Sequence, residues 1–341
     1  MVYQTAMVKD GGNGVDSRSA HTAGVPGGWR VVVTGAGGQL GTYLAQALAA
    51  AGVTSIGLGH HPSPTVDTVV DIVDEDAVSR AIVEAGPDAV IHAAAMTDVD
   101  GCERDPDRAD QINHVGSRNV AKAAAKAGAY LVAVSTDFVF PGIDAPYAED
   151  APPAPISVYG SSKLAGEVAV LDADDRFAIA RTAWVYGGAG KHFPRTVLNL
   201  LASRPEFEVV EDERGNPTFA GDLAEALVSL VSLRLPGVVH LTNAGSTSRF
   251  ALAREVAALA GLDPGRVRPT TVAAFLEKYP LPARRPADSS LQNERAAAHG
   301  ITLRPWEDAL AAYMPRLVSE LQIGQEMPEP AAPSPAPRKD N

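Results

Sequence analysis

A single cysteine, Cys102, stands in this chain of 341 residues. That excludes an intramolecular disulfide framework and any zinc site built on cysteines, and it leaves Cys102 as a small structural residue. No run of about 18 apolar residues occurs, so no transmembrane helix is expected. Basic residues are scarce: 29 Lys and Arg against 41 Asp and Glu give a net charge of -12. Binding to duplex nucleic acid or an anionic membrane needs clustered cations, so this balance argues against both. Residues 1–28 lack the apolar segment of a signal peptide, are rich in Gly, Ser and Asp, and read as a disordered leader. Residues 321–341 carry Pro, Ala and Ser and read as a flexible tail. The expected location is the cytoplasm. What remains is ordinary globular sequence, 45% hydrophobic and 21% charged, long enough for one large or two modest domains.

From Trp29 onward strand and helix patterns alternate. Arg30–Thr34 is a short buried strand and Gln39–Ala51 an Ala- and Leu-rich helix; Val53–Leu58 is a second strand, and Val66–Asp71 reads as a third. Asp74–Ala85 is helical, Ala89–His92 a strand, Pro106–Ala127 one long helix, Tyr130–Ser135 a strand and Ser157–Leu171 a helix. Strands separated by helices predict an α/β fold with a doubly wound parallel sheet of Rossmann type and right-handed crossovers. After about Tyr186 the pattern loosens into short segments such as Phe207–Val210 and Val238–Thr242. The expected organisation is a dinucleotide-binding domain over residues 29–185 and a smaller α/β substrate lobe formed mainly by 186–320.

Gly35, Gly38 and Gly41 fall where the first strand passes into the first helix. Glycine permits a tight turn there and lets backbone N–H groups approach a pyrophosphate at the positive end of the helix. The end of the second strand, Leu58–His61, carries no Asp or Glu for a ribose 2′-hydroxyl. That absence favours NADPH as cofactor and leaves NADH open, with His60 and His61 able to approach a 2′-phosphate. Asp71 and Ile72, after the third strand, are placed as adenine contacts. Tyr159 and Lys163 are four residues apart on a helix and share a face. A Tyr hydroxyl titrates near ~10 in isolation, and a cation fixed beside it is expected to bring it toward the working range. Such pairs are common on helix surfaces; the glycine loop upstream makes this one informative. Thr136 ends the strand that begins at Tyr130, at the sheet edge where doubly wound folds place chemistry, and can give a hydrogen bond to a substrate oxygen while Tyr159 supplies the proton.

Together these residues carry a resemblance. Gly35-x-x-Gly38-x-x-Gly41, Ala93-Ala94-Ala95, Ser135-Thr136-Asp137 and Tyr159-x-x-x-Lys163 resemble the extended short-chain dehydrogenase/reductases. Further motifs narrow it. Gly38-Gln39-Leu40-Gly41, Thr97-x-Val99 with Cys102-Glu103, Ser135–Phe140, Tyr159–Lys163, Arg181-Thr182-x-Trp184, Gly215–Thr218, Arg284-Arg285-Pro286 with Ser289, and Pro305-Trp306 are similar to the dTDP-4-dehydrorhamnose reductase family. The resemblance implies NAD(P)H-dependent reduction of the C4 ketone of dTDP-4-dehydro-6-deoxy-L-mannose to dTDP-L-rhamnose. By position it implies Thr136, Tyr159 and Lys163 as the catalytic set. Gly35, Gly38, Gln39, Leu40, Gly41, Asp71, Ile72 and Ala93–Ala95 would line the cofactor with Tyr159 and Lys163. Thr97, Val99, Asp137 and Trp184 would line the dTDP-sugar, and at least one of Arg284 and Arg285 is expected at its diphosphate. Three positions depart from the pattern: His192 stands where Asn is expected, Arg214 where Gln is commoner, and Arg249 where an aromatic is typical. Some members bind Mg²⁺ between subunits through glutamates; the first helix offers no matching glutamate, so no metal is carried over. A homodimer is compatible with the resemblance.

Two alternatives stay open. One is another nucleotide-sugar enzyme, an epimerase or a 4,6-dehydratase; dehydratases normally follow the Thr with Asp-Glu, whereas Asp137 is followed by Phe138. The other is a non-catalytic binding subunit, like the regulatory protein of this fold that pairs with methionine adenosyltransferase. Binding alone would not require Thr136, Tyr159 and Lys163 together.

Overall fold

The Val31-Val32-Val33 run becomes the centre of a sheet because its side chains are buried on both faces. In a computed structural model of the protein, residues 28–323 are described; the expected leader and all but the first residues of the expected tail lie outside them. Along the chain come β1 (Arg30–Thr34), α1 (Gln39–Ala50), β2 (Thr54–Gly59), β3 (Thr68–Val69), α2 (Glu75–Ala85), β4 (Ala89–His92), α3 (Val99–Arg104), α4 (Pro106–Asp110), a π-helical turn (Gln111–Gly116), α5 (Ser117–Ala127) and β5 (Tyr130–Thr136). After a 3₁₀ turn at Asp137–Val139 follow α6 (Val158–Ala173), β6 (Ala178–Thr182), β7 (Val185–Tyr186), α7 (Phe193–Ser203), β8 (Phe207–Val210), β9 (Arg214–Gly215), β10 (Thr218–Phe219), α8 (Ala220–Leu233) and β11 (Gly237–His240). The described chain closes with β12 (Thr247–Ser248), α9 (Arg249–Leu259), β13 (Val267–Thr270), α10 (Val272–Lys278), α11 (Glu294–Ala298) and α12 (Trp306–Leu321).

Seven strands form one parallel sheet in the order β11-β6-β5-β4-β1-β2-β3. Alternate residues of β1 enter opposite cores. Val31 and Val33 pack with Leu44 and Leu48 of α1 and Leu223 and Leu227 of α8. Val32 packs with Val78 and Ile82 of α2 and Val120 of α5. A third core gathers Leu198, Val209, Val256, Trp306 and Leu310 in a smaller lobe, with β8 and β13 paired in parallel and β9 and β12 antiparallel.

Two features depart from the sequence expectation. Val238–Thr242 was read into the substrate lobe; instead β11 pairs with β6, and α8 covers the large sheet beside α1. The chain thus leaves the large domain and returns to it. The expected single helix over Pro106–Ala127 is also interrupted by the π-turn. α6 packs closely on this turn: a Cβ on Gly166 would lie 2.3 Å from the Asn113 carbonyl oxygen. Among the described residues no helix is long and apolar enough to cross a membrane.

Candidate active site

The carboxyl ends of β1, β4 and β5 open into a cleft of about 910 Å³. Its floor follows from the glycines. A Cβ on Gly35 would lie 2.7 Å from the Ala94 nitrogen, and one on Gly41 2.4 Å from the Gly35 carbonyl, so both are demanded by backbone packing. Gly35 also takes φ +70°, which favours glycine. Gly38 differs: its Cβ would meet only the Gly35 carbonyl, at 3.2 Å. Gly38 is the N-cap of α1 with no side-chain cap, and the first turn of α1 carries no acidic residue. The free N–H groups and positive end of α1 therefore face the cleft without a competing anion, a setting that fits a pyrophosphate. Gln39, Leu40, Asp71, Ile72 and Ala93–Ala95 line the same cleft, as do Tyr159 and Lys163. His60 and His61 line it too, His60 Nε2 3.7 Å from Asp71 Oδ2.

A second cleft of about 930 Å³ opens between the sheet edge and the smaller lobe. Thr97, Val99, Asp137, Trp184, Arg284 and Arg285 all line it. The two clefts share Thr97, Thr136, Asp137, Tyr159, Trp184 and Lys191. The expected cofactor and substrate residues thus fall into two adjoining clefts, and the expected catalytic hydroxyls stand where these meet.

Tyr159 is buried, its ring edge-on to Phe138 at 5.6 Å. Burial raises its hydroxyl above the ordinary range; the Thr136 hydroxyl pulls it down and the Asp137 carboxylate pushes it up. Lys163 Nζ donates to the Val134 carbonyl at 2.8 Å, and burial lowers its ammonium to about 8 against the upward pull of Glu167. The expectation that Lys163 brings the phenol toward neutrality is not met in this geometry, because burial outweighs the other effects. A phenol that keeps its proton at neutral pH suits an acid.

Several residues that the sequence did not single out hold this arrangement. Asn113, in the π-turn, donates to the Met96 carbonyl at 3.1 Å and to Ser162 Oγ at 3.0 Å, and accepts from Met96 N–H at 2.8 Å, so α6 and the β4–α3 loop are tied together. Buried His92 bridges Thr34 (2.7 Å) and Ser117 (3.0 Å), and burial, then Lys163, lowers it to about 3. It is a neutral structural histidine. Glu167 accepts from Ser135 Oγ at 2.5 Å and from Arg181 Nη2 at 2.7 Å, all three buried. Their only sequence signal was the position of Ser135 and Arg181 in family motifs.

Trp184 adopts φ +46°, a strained backbone for an aromatic residue. A Cβ at Gly215 would come within 2.6 Å of its indole, which explains the glycine of the Gly215–Thr218 run. Arg249 stacks its guanidinium 3.5 Å from the Trp184 ring centre while bonding Glu213 at 3.0 Å. Arg284 and Arg285 differ in their surroundings. Arg285 Nη2 donates to Asp100 Oδ2 at 2.7 Å and Nη1 to the Ala283 carbonyl at 3.0 Å, so an acidic partner that sequence proximity hid holds it. Arg284 is exposed and lines the second cleft.

A sequence model of the family described as RmlD substrate binding domain matches residues 29–319. A dTDP-4-dehydrorhamnose reductase of Mycolicibacterium smegmatis is 42% identical over 309 residues, covering 89% of this chain and 90% of that one. A probable dTDP-4,6-dihydroxy-2-methyloxan-3-one 4-ketoreductase of Streptomyces antibioticus is also 42% identical, over 85% of this chain and 96% of that one. The solved structure of dTDP-4-dehydrorhamnose reductase from Bacillus anthracis in complex with NADP is 36% identical and superposes with a TM-score of 0.78, over 84% of this chain and 99% of that one.

Proposed function

This chain belongs to the dTDP-4-dehydrorhamnose reductase family, and from that premise we propose that it reduces the C4 ketone of dTDP-4-dehydrorhamnose to the hydroxyl of dTDP-L-rhamnose with NADPH. The observation that carries this reading is the meeting of the two clefts at Thr136 and Tyr159. NADPH, when bound, would supply the hydride for the sugar C4. Tyr159 delivers its hydroxyl proton to the ketone oxygen, so the C=O becomes CH–OH and the charge left on the phenol is met by Lys163. The uncapped start of α1 and Gly38 would hold the pyrophosphate, Ala93–Ala95 with Asp71 and Ile72 would flank the adenosine, and Lys163 would hold the ribose beside Tyr159. The absence of an acid after β2, with His60 and His61 in its place, supports NADPH over NADH. Following NADPH consumption with a panel of dTDP-4-keto sugars tests the reading; no turnover with any of them would refute it. A second reading, reduction of a related dTDP-4-keto deoxysugar, is favoured by the equally similar Streptomyces antibioticus relative, and the same panel separates the two.

Two substitutions probe the clefts separately. Gly38→Val puts a branched side chain at the loop glycine least hemmed in by its neighbours, its Cβ 3.2 Å from the Gly35 carbonyl alone, where the pyrophosphate must approach. Fluorescence titration is expected to show NADPH binding weakened about tenfold or more, since charge-assisted phosphate contacts are worth ~1.5–3 kcal/mol each. An unchanged dissociation constant would mean that the glycine serves the turn alone. In the second cleft, Arg284 is the arginine free to meet the substrate diphosphate. Arg284→Ala is expected to raise KM for the dTDP-sugar by about tenfold or more and leave NADPH affinity alone. Arg285→Ala removes a loop anchor to Asp100 and should raise KM less. Equal KM values in wild type and Arg284→Ala would put the diphosphate elsewhere.

A further inference from the structure

The wall of the second cleft carries an ion pair that proton delivery does not use. Arg249 opens α9 and Glu213 immediately precedes β9; antiparallel pairing of Ser248 with Arg214 brings the two side by side. The backbone there is fixed twice more. Arg249 N–H donates to the Glu213 carbonyl at 3.1 Å, and Ser248 caps α9 by accepting from Ala251 N–H at 3.1 Å. The guanidinium is held as well. Its carbon lies 3.5 Å from the Trp184 ring centre and 5.1 Å from that of Phe193, and Nε donates to Glu213 Oε1 at 3.0 Å. A planar guanidinium held through Nε presents its two Nη groups as a fork. Among the described residues neither Nη has a hydrogen-bond partner, nor does Glu213 Oε2, and none of the three is sealed from solvent. Both side chains line the second cleft with Trp184, Asp137 and Tyr159. Fork and carboxylate oxygen are thus a fixed donor and acceptor, open to a ligand.

The charges decide which ligand. A phosphate does not suit the pair, because Glu213 already meets the guanidinium at 3.0 Å and its carboxylate would repel phosphate oxygens at the same spot. Arg284, exposed on the same cleft and without an ion-pair partner among the described residues, suits the diphosphate better. Neutral hydroxyls do suit the pair, since each can accept from the fork and donate to the carboxylate. In a 4-keto-6-deoxy hexose joined to its nucleotide through C1, C5 carries the ring oxygen and C6 is a methyl. Free hydroxyls remain at C2 and C3 alone, a vicinal pair. We propose that Arg249 and Glu213, braced on Trp184, bind the C2 and C3 hydroxyls and make the enzyme selective for a 4-keto hexose that keeps both. This rests on the reductase reading above and narrows its substrate class. Arg249 stands where an aromatic is typical, so the fork is not something the family resemblance supplies.

Equilibrium titration with NADP⁺ present tests the assignment. Wild-type protein should bind dTDP-L-rhamnose about 10- to 100-fold more tightly than its 2-deoxy or 3-deoxy analogue, the worth of a hydrogen bond to a charged group. The three ligands carry the same diphosphate, so only the hydroxyls differ. In Arg249→Met the three should bind alike, while dTDP itself, which has no hexose, should bind as it does to wild type. Glu213→Gln keeps the side-chain volume and should also narrow the difference; melting curves show that each variant is folded, and Glu213→Gln decides the matter where Arg249→Met does not fold. Equal binding of the three ligands by wild type, or discrimination that survives both substitutions, overturns the proposal. So does a loss of dTDP affinity in Arg249→Met that matches the loss for dTDP-L-rhamnose, which would put Arg249 at the diphosphate. NADPH consumption separates this failure from that of the reading beneath it. Turnover of dTDP-4-keto sugars without preference for the hydroxylated form removes only the Arg249–Glu213 assignment, whereas no turnover with any of them removes the reductase reading.

Discussion

Tyr159→Phe is expected to bind NADPH with near wild-type affinity and to lose turnover by about 10²–10⁴-fold, the range for removing a positioned proton donor. The size of the effect follows from burial. In water a missing acid is replaced by solvent, but Tyr159 packs its ring against Phe138, Cys102 and Ala109 and lines a cleft that a bound sugar would fill, leaving solvent little room to stand in. The substitution itself is mild. Phenylalanine keeps the edge-on contact with Phe138 at 5.6 Å and removes only the hydroxyl. Stability should therefore change little, and a rate defect cannot be attributed to unfolding. Single-turnover kinetics after pre-loading NADPH isolate the chemical step. A folded variant that turns over within a few-fold of wild type would show that the proton comes from another group.

How much of this was legible in the chain depends on the range of the contacts involved. β1, β4 and β8 begin and end where the sequence placed them, because short buried runs bounded by turn residues carry their own signal. α2 and α6 start one residue after their predicted first positions, since Asp74 and Ser157 serve as N-caps whose side chains accept from Ala77 and Gly160 N–H. The motif residues line two adjoining clefts because loops at the carboxyl end of a parallel sheet must converge. What failed was non-local. β11 joins β6 only after the chain has traversed part of the smaller lobe, and nothing in Gly237–His240 distinguishes an edge strand of the large sheet from a strand of its neighbour. The π-turn packs against Gly166 on a helix distant in sequence. Arg285 pairs with Asp100, a partner that lies far away along the chain. His192 looked like a simple departure from Asn; it caps α7 by accepting from Arg195 N–H at 3.3 Å, as Asn could, and its other ring nitrogen meets the Tyr313 hydroxyl at 3.0 Å. With Nδ1 accepting, the proton must reside on Nε2, so the neutral ring donates to Tyr313. Burial keeps it neutral by lowering it to about 4.

The largest expected effect on stability comes from a residue outside the predicted site. Glu167→Gln removes the counter-charge of Arg181, and both side chains are only 4% exposed. The guanidinium has little alternative support: Nη1 has no hydrogen-bond partner, and the neighbouring Phe140 ring lies 5.1 Å away. Leaving one member of a buried ion pair without the other costs about 3–5 kcal/mol, which for a chain of this size lowers Tm on the order of 10 °C. The defect should be specific to breaking the pair. Replacing both residues together, Glu167→Met with Arg181→Met, removes the stranded charge and should recover part of the loss, because apolar pairs of similar volume often substitute for buried ion pairs. Recovery should be incomplete, since Ser135 would lose the acceptor it now meets at 2.5 Å. Activity should respond as well. Glu167 raises the Lys163 ammonium, so its neutralisation should move that group below about 8. Lys163 is a cation below its pKa and neutral above it; in Glu167→Gln the weakening of NADPH binding with rising pH should therefore begin at lower pH than in wild type. Calorimetric melting and NADPH titrations across pH test the two halves together. A Tm within about 2 °C of wild type, a shift expected of under 1 kcal/mol, would show that Arg181 is solvated or otherwise compensated and that the pair is not what joins β6 to the helix bearing Tyr159.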